Sequence, residues 1–304
     1  MVRSPMGSAS YWNEWCSYAD EHIVHMTKQI SEPAGDPSYR PQYVFNLVRK
    51  HYEQMLRRYS RGDGITELKP YFPPLLDAWE ESERLGYAVW TAKQQYTRHA
   101  WKVNLDHYIV CFWLVGLALV LDIPDDQWQR LITLMGNEGE DALLDRVIAS
   151  RQPGRKIGAA LCHPRPYERL LDAVYAPRAE QAPLLSTFLE KWYLELDSPP
   201  ARDQAKTSVM NARPYWNRYG DQNFEGGAYF GRWCVEAVAA VKAFGMDDSL
   251  CLGHANYPGD LLRPGKPTTH LPSPQCEQTA AFPLDSGVVK KSRSGWFARI
   301  FGGL

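Results

Sequence analysis

Apolar side chains recur along most of this chain at the three- and four-residue spacing that gathers them on one side of a helix. Phe230, Trp233, Cys234, Ala237, Val238, Val241 and Phe244 fall at i, i+3, i+4 and i+7, and they predict a helix opening near Tyr229 whose apolar face must be buried. Gly245 follows where a helix end favours a left-handed residue, and Asp247 or Asp248 is placed to cap the next turn. Tyr257-Pro258-Gly259-Asp260 then predicts an extended segment and a turn, because proline disfavours helix at the preceding residue. Over residues 42–59 the set Val44, Leu47, Val48, Tyr52, Met55, Leu56 and Tyr59 keeps the same spacing. Another helix is expected over 11–30, after a loose terminus at 1–10. Residues 31–41 hold three prolines and a glycine and read as a connection.

The greasiest stretch lies over 104–122, with 14 consecutive apolar residues from Tyr108 to Leu121 between acidic flanks. A membrane span needs roughly 18 to 20, so this run is a central core helix. Pro124 starts a further helix, with Asp125 and Asp126 at its positive end. Residues 136–151 form a glycine-flanked loop entering an acidic helix, and helices follow over 166–175 and 181–196; residues 198–227 are irregular. No alternating strand pattern of useful length and no repeat of 20 to 50 residues occurs. The expected fold is all-α, a multi-helix bundle joined by turns.

Several words of the sequence fall in a recognisable order. Near the C-terminal end they are Phe230-Gly231-x-Trp233-Cys234, Glu236-Ala237-Val238, Gly245-x-Asp247-Asp248-Ser249 and Tyr257-Pro258-x-Asp260-Leu261. Earlier come Tyr59-Ser60-x-Gly62-Asp63, Tyr71-Phe72 and Leu76-x-x-Trp79-Glu80. Between them lie Leu143-Leu144-Asp145, Tyr167-Glu168-x-Leu170-Leu171 and Trp192-Tyr193, with Trp216 in place of a further tryptophan. Over about residues 42–262 the chain resembles the PoNi family, immunity proteins against PoNe-type DNase toxins that bacteria deliver to one another through secretion systems, type VI among them. The resemblance implies a small N-terminal helical domain packed on a larger C-terminal one. We divide the chain accordingly into 1–103, 104–263 and a Pro-rich linker with a basic amphipathic tail over 264–304. It also implies a non-enzymatic protein whose partner is the cognate toxin, which it binds and neutralises to protect the producing cell and its kin.

Composition permits this and narrows it. A hydrophobic fraction of 44% with 11 Trp and 17 Tyr predicts an ordered protein whose packing is dominated by large rings. The formal charge of −1 divides into +3 from Pro264 onward and −4 before it. A weakly acidic body lacks the clustered bases that phosphate contacts require, so no nucleic-acid partner is expected. The six cysteines are scattered, with Cys111 and Cys234 on apolar faces. Reduced thiols and the absence of an apolar leader in the first residues point to the cytoplasm. The tail VVKKSRSGWFARIFGGL leaves several readings open: contact with a membrane interface, docking in a groove, packing on its own domain, or a loose end.

No combination of nucleophile, base and charge-stabilising group announces a catalytic site, and the nucleotide-binding and hydrolase motifs are missing, so no cofactor is expected. The pairs His22/His25 and Cys251/His254 have metal-like spacing but lack further ligands, and no metal is expected. The carboxylates matter more. Asp122, Asp125, Asp126, Glu138, Glu140, Asp141 and Asp145 are seven acids against one base, Arg130, over 122–145. One reading is a solvated face paired with the bases Arg151, Arg155, Lys156, Arg165 and Arg169. The other is a toxin-binding surface that meets the positive DNA-binding face of a nuclease. Asp247 and Asp248 join the same candidate set, or act as caps. The rival class is a helical hydrolase or metal enzyme built on carboxylates such as Glu236, Asp247 and Asp248.

Overall fold

The computed structural model of the protein describes residues 1–32, 36–197, 213–221 and 224–272. Among the described residues the regular structure is entirely helical. The helices expected over 11–30 and 42–59 become α1 (Ala9–Ser31) and α2 (Arg40–Arg61), and α3 (Phe72–Val89) follows, with α2 packed between the other two. Then follow α4 (Ala92–His99), α5 (Leu105–Val120), α6 (Asp125–Met135), the short α7 (Leu144–Ala149), the paired α8 (Pro164–Tyr175) and α9 (Arg178–Glu195), and α10 (Val235–Phe244).

The apolar run becomes α5, which begins where the Asn104 side chain accepts the His107 N–H at 3.0 Å. Of its 16 residues, 14 are buried, so it has no solvent face and must lie among other elements. α10 is its main partner. Gly116 permits the close approach: a Cβ there would stand 2.9 Å from Val235 Cγ1 and 3.0 Å from the Ala239 Cβ. Most of the buried apolar side chains from Ile23 to Leu261 form one continuous cluster, and Val2, Trp12 and Tyr229 form a second, smaller one. Trp113, Trp192 and Trp216 meet inside it, with Trp216 at 5.0 Å from the first and 6.0 Å from the second. No described helix is long and apolar enough to cross a membrane.

Two expectations are corrected. Residues 229–234 are not helical, and the helix starts only at Val235. Phe230, Trp233 and Cys234 are nonetheless buried, because this strip threads through the core and is covered all round; a short apolar run buried on every side has no period that separates helix from extended chain. Gly231 is what allows the path. Its φ is +106°, and a Cβ would fall 2.0 Å from Trp233 Nε1 and 2.5 Å from Ser60 Oγ. The non-helical backbone finds a partner in a neighbouring loop, where Cys234 N–H donates to the Asn256 carbonyl at 2.8 Å.

The first residues are also not loose. Val2 and Ser4 are buried, and Arg3 N–H donates to the Ser60 carbonyl. The Arg3 guanidinium reaches Asp260 Oδ2 at 2.7 Å and the carbonyls of Asp63 (2.8 Å) and Tyr59 (3.1 Å). One arginine thus ties the chain start to the end of α2 and to the 260 turn, a link with no periodic signature. Gly245 closes α10 in the left-handed conformation as expected. Cys16, Cys111, Cys162, Cys234 and Cys251 are free thiols. Cys276 and the basic tail lie outside the described residues.

Candidate functional site

The seven acids of 122–145 separate into an outer and an inner group. Asp122, Asp125, Asp126 and Glu138 are exposed and Glu140 is half-buried. Asp125 meets Arg151 Nη2 at 2.8 Å, Glu138 accepts the Lys156 N–H at 2.9 Å, and Glu140 pairs with Lys102 Nζ at 2.5 Å. Asp122 stands at a positive φ of 47°, its carbonyl accepting from Lys69 Nζ. Packing of α6 on α3 adds two acids that the local sequence does not suggest. Arg130 of α6 reaches Asp77 at 2.6 Å and Glu80 at 2.7 Å on α3, while Asp126 sits one helical turn before Arg130 on the same face. Asp77 and Glu80 are three apart on a helix, so their shared face was readable, but not their meeting with α6.

Asp141 and Asp145 correct the expectation of a seven-acid surface, because both are completely buried. Asp141 Oδ1 accepts from the N–H groups of Leu143 (2.9 Å) and Leu144 (2.7 Å) and from the Tyr108 hydroxyl (3.1 Å), and its Oδ2 from Cys162 N–H at 2.7 Å. Asp145 Oδ2 accepts from the N–H groups of Gly139, Asp141 and Gly158, and Oδ1 meets Arg155 Nε at 2.8 Å. Arg155 in turn donates to the Gly136 carbonyl at 3.0 Å. Two carboxylates therefore close the loops around 136–145 and 155–162 onto each other, and the loops meet at Gly158. A Cβ at Gly158 would stand 2.3 Å from the Asp141 nitrogen. Buried charge survives here because donors saturate it.

The second acidic group also divides. Asp247 is exposed and its Oδ1 accepts the Ser249 N–H at 2.9 Å, so it is the capping residue of the pair. Asp248 is buried against Arg263 Nη2 (2.5 Å) and the Tyr257 hydroxyl (2.6 Å). Glu236 lies in the first turn of α10, fully buried, accepting from the Tyr167 hydroxyl at 2.9 Å and Trp113 Nε1 at 3.1 Å. The three carboxylates that would define a hydrolytic centre are each held by separate partners. Among the described residues no group of three or more His, Cys, Asp or Glu is arranged to hold a metal ion.

Burial pushes the Glu236 carboxyl up to about 7 from 4.5. Between these values the folded protein holds a proton that the unfolded chain has lost, so this group's contribution to stability falls as pH rises from about 4.5 to about 7. Glu236→Gln removes that dependence and keeps an acceptor for Trp113 and a group able to bond Tyr167. Measured by denaturant titration from pH 5 to pH 8, the stability of Glu236→Gln relative to wild type is expected to rise by on the order of 3 kcal/mol. A difference that stays constant across this range would show that Glu236 does not titrate in the interior.

Two family models match the chain. One, for the N-terminal part of PoNe immunity protein (PoNi), matches residues 3–133, and one, for the C-terminal part of PoNe immunity proteins (PoNi), matches residues 139–261. They meet in the loop after α6. Among solved structures, "The Crystal Structure of Protein PA2201 from Pseudomonas aeruginosa" is similar in fold, with a TM-score of 0.60 and 20% identity over 86% of this chain and 89% of that one. No curated protein matches.

Proposed function

We propose that this chain, which belongs to the PoNe immunity protein (PoNi) family, protects its cell by binding a cognate PoNe-type DNase toxin through the acidic face built on α3, α6 and the loop after α6. The observation that carries the reading is the outer group of acids: Asp77, Glu80, Asp122, Asp125, Asp126, Glu138 and Glu140 outnumber the three bases that pair with them, Arg130, Arg151 and Lys102, and among the described residues Asp122, Asp126 and Glu138 carry no salt bridge. A nuclease has to present basic groups to phosphates, so clustered carboxylates on a rigid scaffold steer it into contact quickly. Asp141 and Asp145 serve this surface from behind by fixing the loop that carries Glu138 and Glu140, and Asp247 offers a further exposed carboxylate. The toxin is delivered by a secretion system, and the immunity protein meets it in the cytoplasm, where the DNA is.

The test is the triple variant Asp125→Lys, Asp126→Lys, Glu140→Lys. Exposed ion pairs are worth roughly 0 to 1 kcal/mol each, so the variant is expected to melt close to wild type. It is expected to associate with the co-encoded toxin at least about tenfold more slowly at low salt, with a flatter salt dependence, and to fail to protect co-expressing cells. A variant that folds and protects fully would place the interface elsewhere.

A further inference from the structure

Between α2, α4, the start of α5 and the chain around Tyr215 lies a cleft of about 170 Å³. Two side chains of opposite charge line it without touching a countercharge. Asp106 Oδ1 accepts the Tyr215 N–H at 2.9 Å, which fixes the carboxylate, and no base among the described residues stands within 4.0 Å of it. The nearby cations are engaged elsewhere or absent. Arg49 is bound to Glu53 at 2.8 Å and stacked 3.9 Å from the Tyr215 ring, His99 pairs with Glu83, and burial lowers His107 to about 3, leaving it neutral.

The same cleft is lined by Arg98. Its Nη1 donates to Gln42 Oε1 at 2.6 Å and its guanidinium lies 3.8 Å from the Trp90 ring. Its Nε is buried without a partner, and among the described residues no carboxylate lies within 4.0 Å. Burial raises the Asp106 carboxyl to about 6 and lowers Arg98, so both are held at a cost in their charged forms. A simple cation in the cleft would leave Arg98 unmatched, and a simple anion would leave Asp106 unmatched. One molecule carrying both charges satisfies both groups.

We propose that this cleft is a binding site for a small zwitterion of free amino-acid size, with its ammonium on Asp106 and its carboxylate on Arg98. A cavity of about 150 Å³ accommodates a benzene-sized molecule, so the ligand has few non-hydrogen atoms. The Asn46 amide, also on the cleft wall, supplies a neutral hydrogen-bonding group beside the charged pair. The site goes beyond toxin neutralisation and does not rest on it.

Calorimetric titration of the full chain at pH 7 with the common free L-amino acids tests this, followed by the N-acetyl and carboxamide forms of the tightest binder. At least one free amino acid is expected to bind, and either blocking group to weaken binding about tenfold or more, since each removes a hydrogen bond between charged groups. Asp106→Asn is expected to abolish the penalty of N-acetylation, and Arg98→Gln the penalty of amidation, with the circular dichroism spectrum of each variant unchanged. The proposal is overturned if no free amino acid binds at about 10 mM, or if the blocked forms bind wild type as well as the free one does. The blocked ligands decide the matter on the wild-type protein even where a variant fails to fold.

Discussion

Arg155→Ala is expected to lower the unfolding free energy by about 3 to 5 kcal/mol, the range found when one partner of a buried ion pair is removed. The magnitude comes from what remains. Asp145 is completely buried and the guanidinium is the partner of its Oδ1, so the truncation strands a carboxylate oxygen inside the protein and also frees the Gly136 carbonyl. The loss is expected to be larger than that of the double variant Arg155→Met, Asp145→Leu, in which no charge is left behind. Urea unfolding of the three proteins measures this. A shift below about 1 kcal/mol for Arg155→Ala would mean that the pair is solvated. Because the same pair fixes the loop bearing Glu138 and Glu140, Arg155→Ala is also expected to weaken toxin binding without touching any exposed acid.

Trp233→Ala is expected to cost a similar amount, about 3 to 5 kcal/mol, as for other large buried rings cut back to a methyl group. Trp233 is 1% exposed, with the Tyr59 ring edge-on at 5.0 Å and His270 at 5.2 Å, and its Nε1 donates to Ser60 Oγ at 2.8 Å. It therefore joins α2, the 229–234 strip and the segment around His270. Trp233→Phe keeps a ring in the cavity and loses the hydrogen bond, so it is expected to fall between wild type and the alanine variant. An unchanged urea midpoint in Trp233→Ala would place the ring at the surface.

Helices with one wet side were legible from the sequence, since their spacing records the boundary between core and solvent. α1, α2 and α6 fall close to where the pattern puts them, and α5 follows from its length and hydrophobicity. The ends followed local chemistry: Asn104 and Gly245 act through their own neighbours' backbone. The 229–234 strip failed for the opposite reason. It is covered on all sides, so Phe230, Trp233 and Cys234 are apolar for burial alone, and their spacing carries no information about the backbone. Arg3 failed because one polar clamp to residues 59, 63 and 260 has no period at all.

The carboxylates divide the same way. Asp125 and Asp126 in a helix's first turn, and Asp141 and Asp145 further along, are equivalent as letters: acids near helix starts in one negatively charged stretch. Their fates differ because half of the donors that make burial tolerable for Asp141 and Asp145 come from Tyr108, Arg155, Gly158 and Cys162, and are assembled only when α5 and the 155–162 loop arrive. Asp106 and Arg98, eight residues apart, likewise show nothing unusual until the cleft partly buries them and leaves each without a countercharge within 4.0 Å. The sequence by itself determined the all-α class, most helices and the family, because these depend on local spacing and word order. Which charges face solvent, which are locked inside and which stand unpaired in a cavity was decided by tertiary structure, since the free energy of a buried charge depends on donors and acceptors far away along the chain.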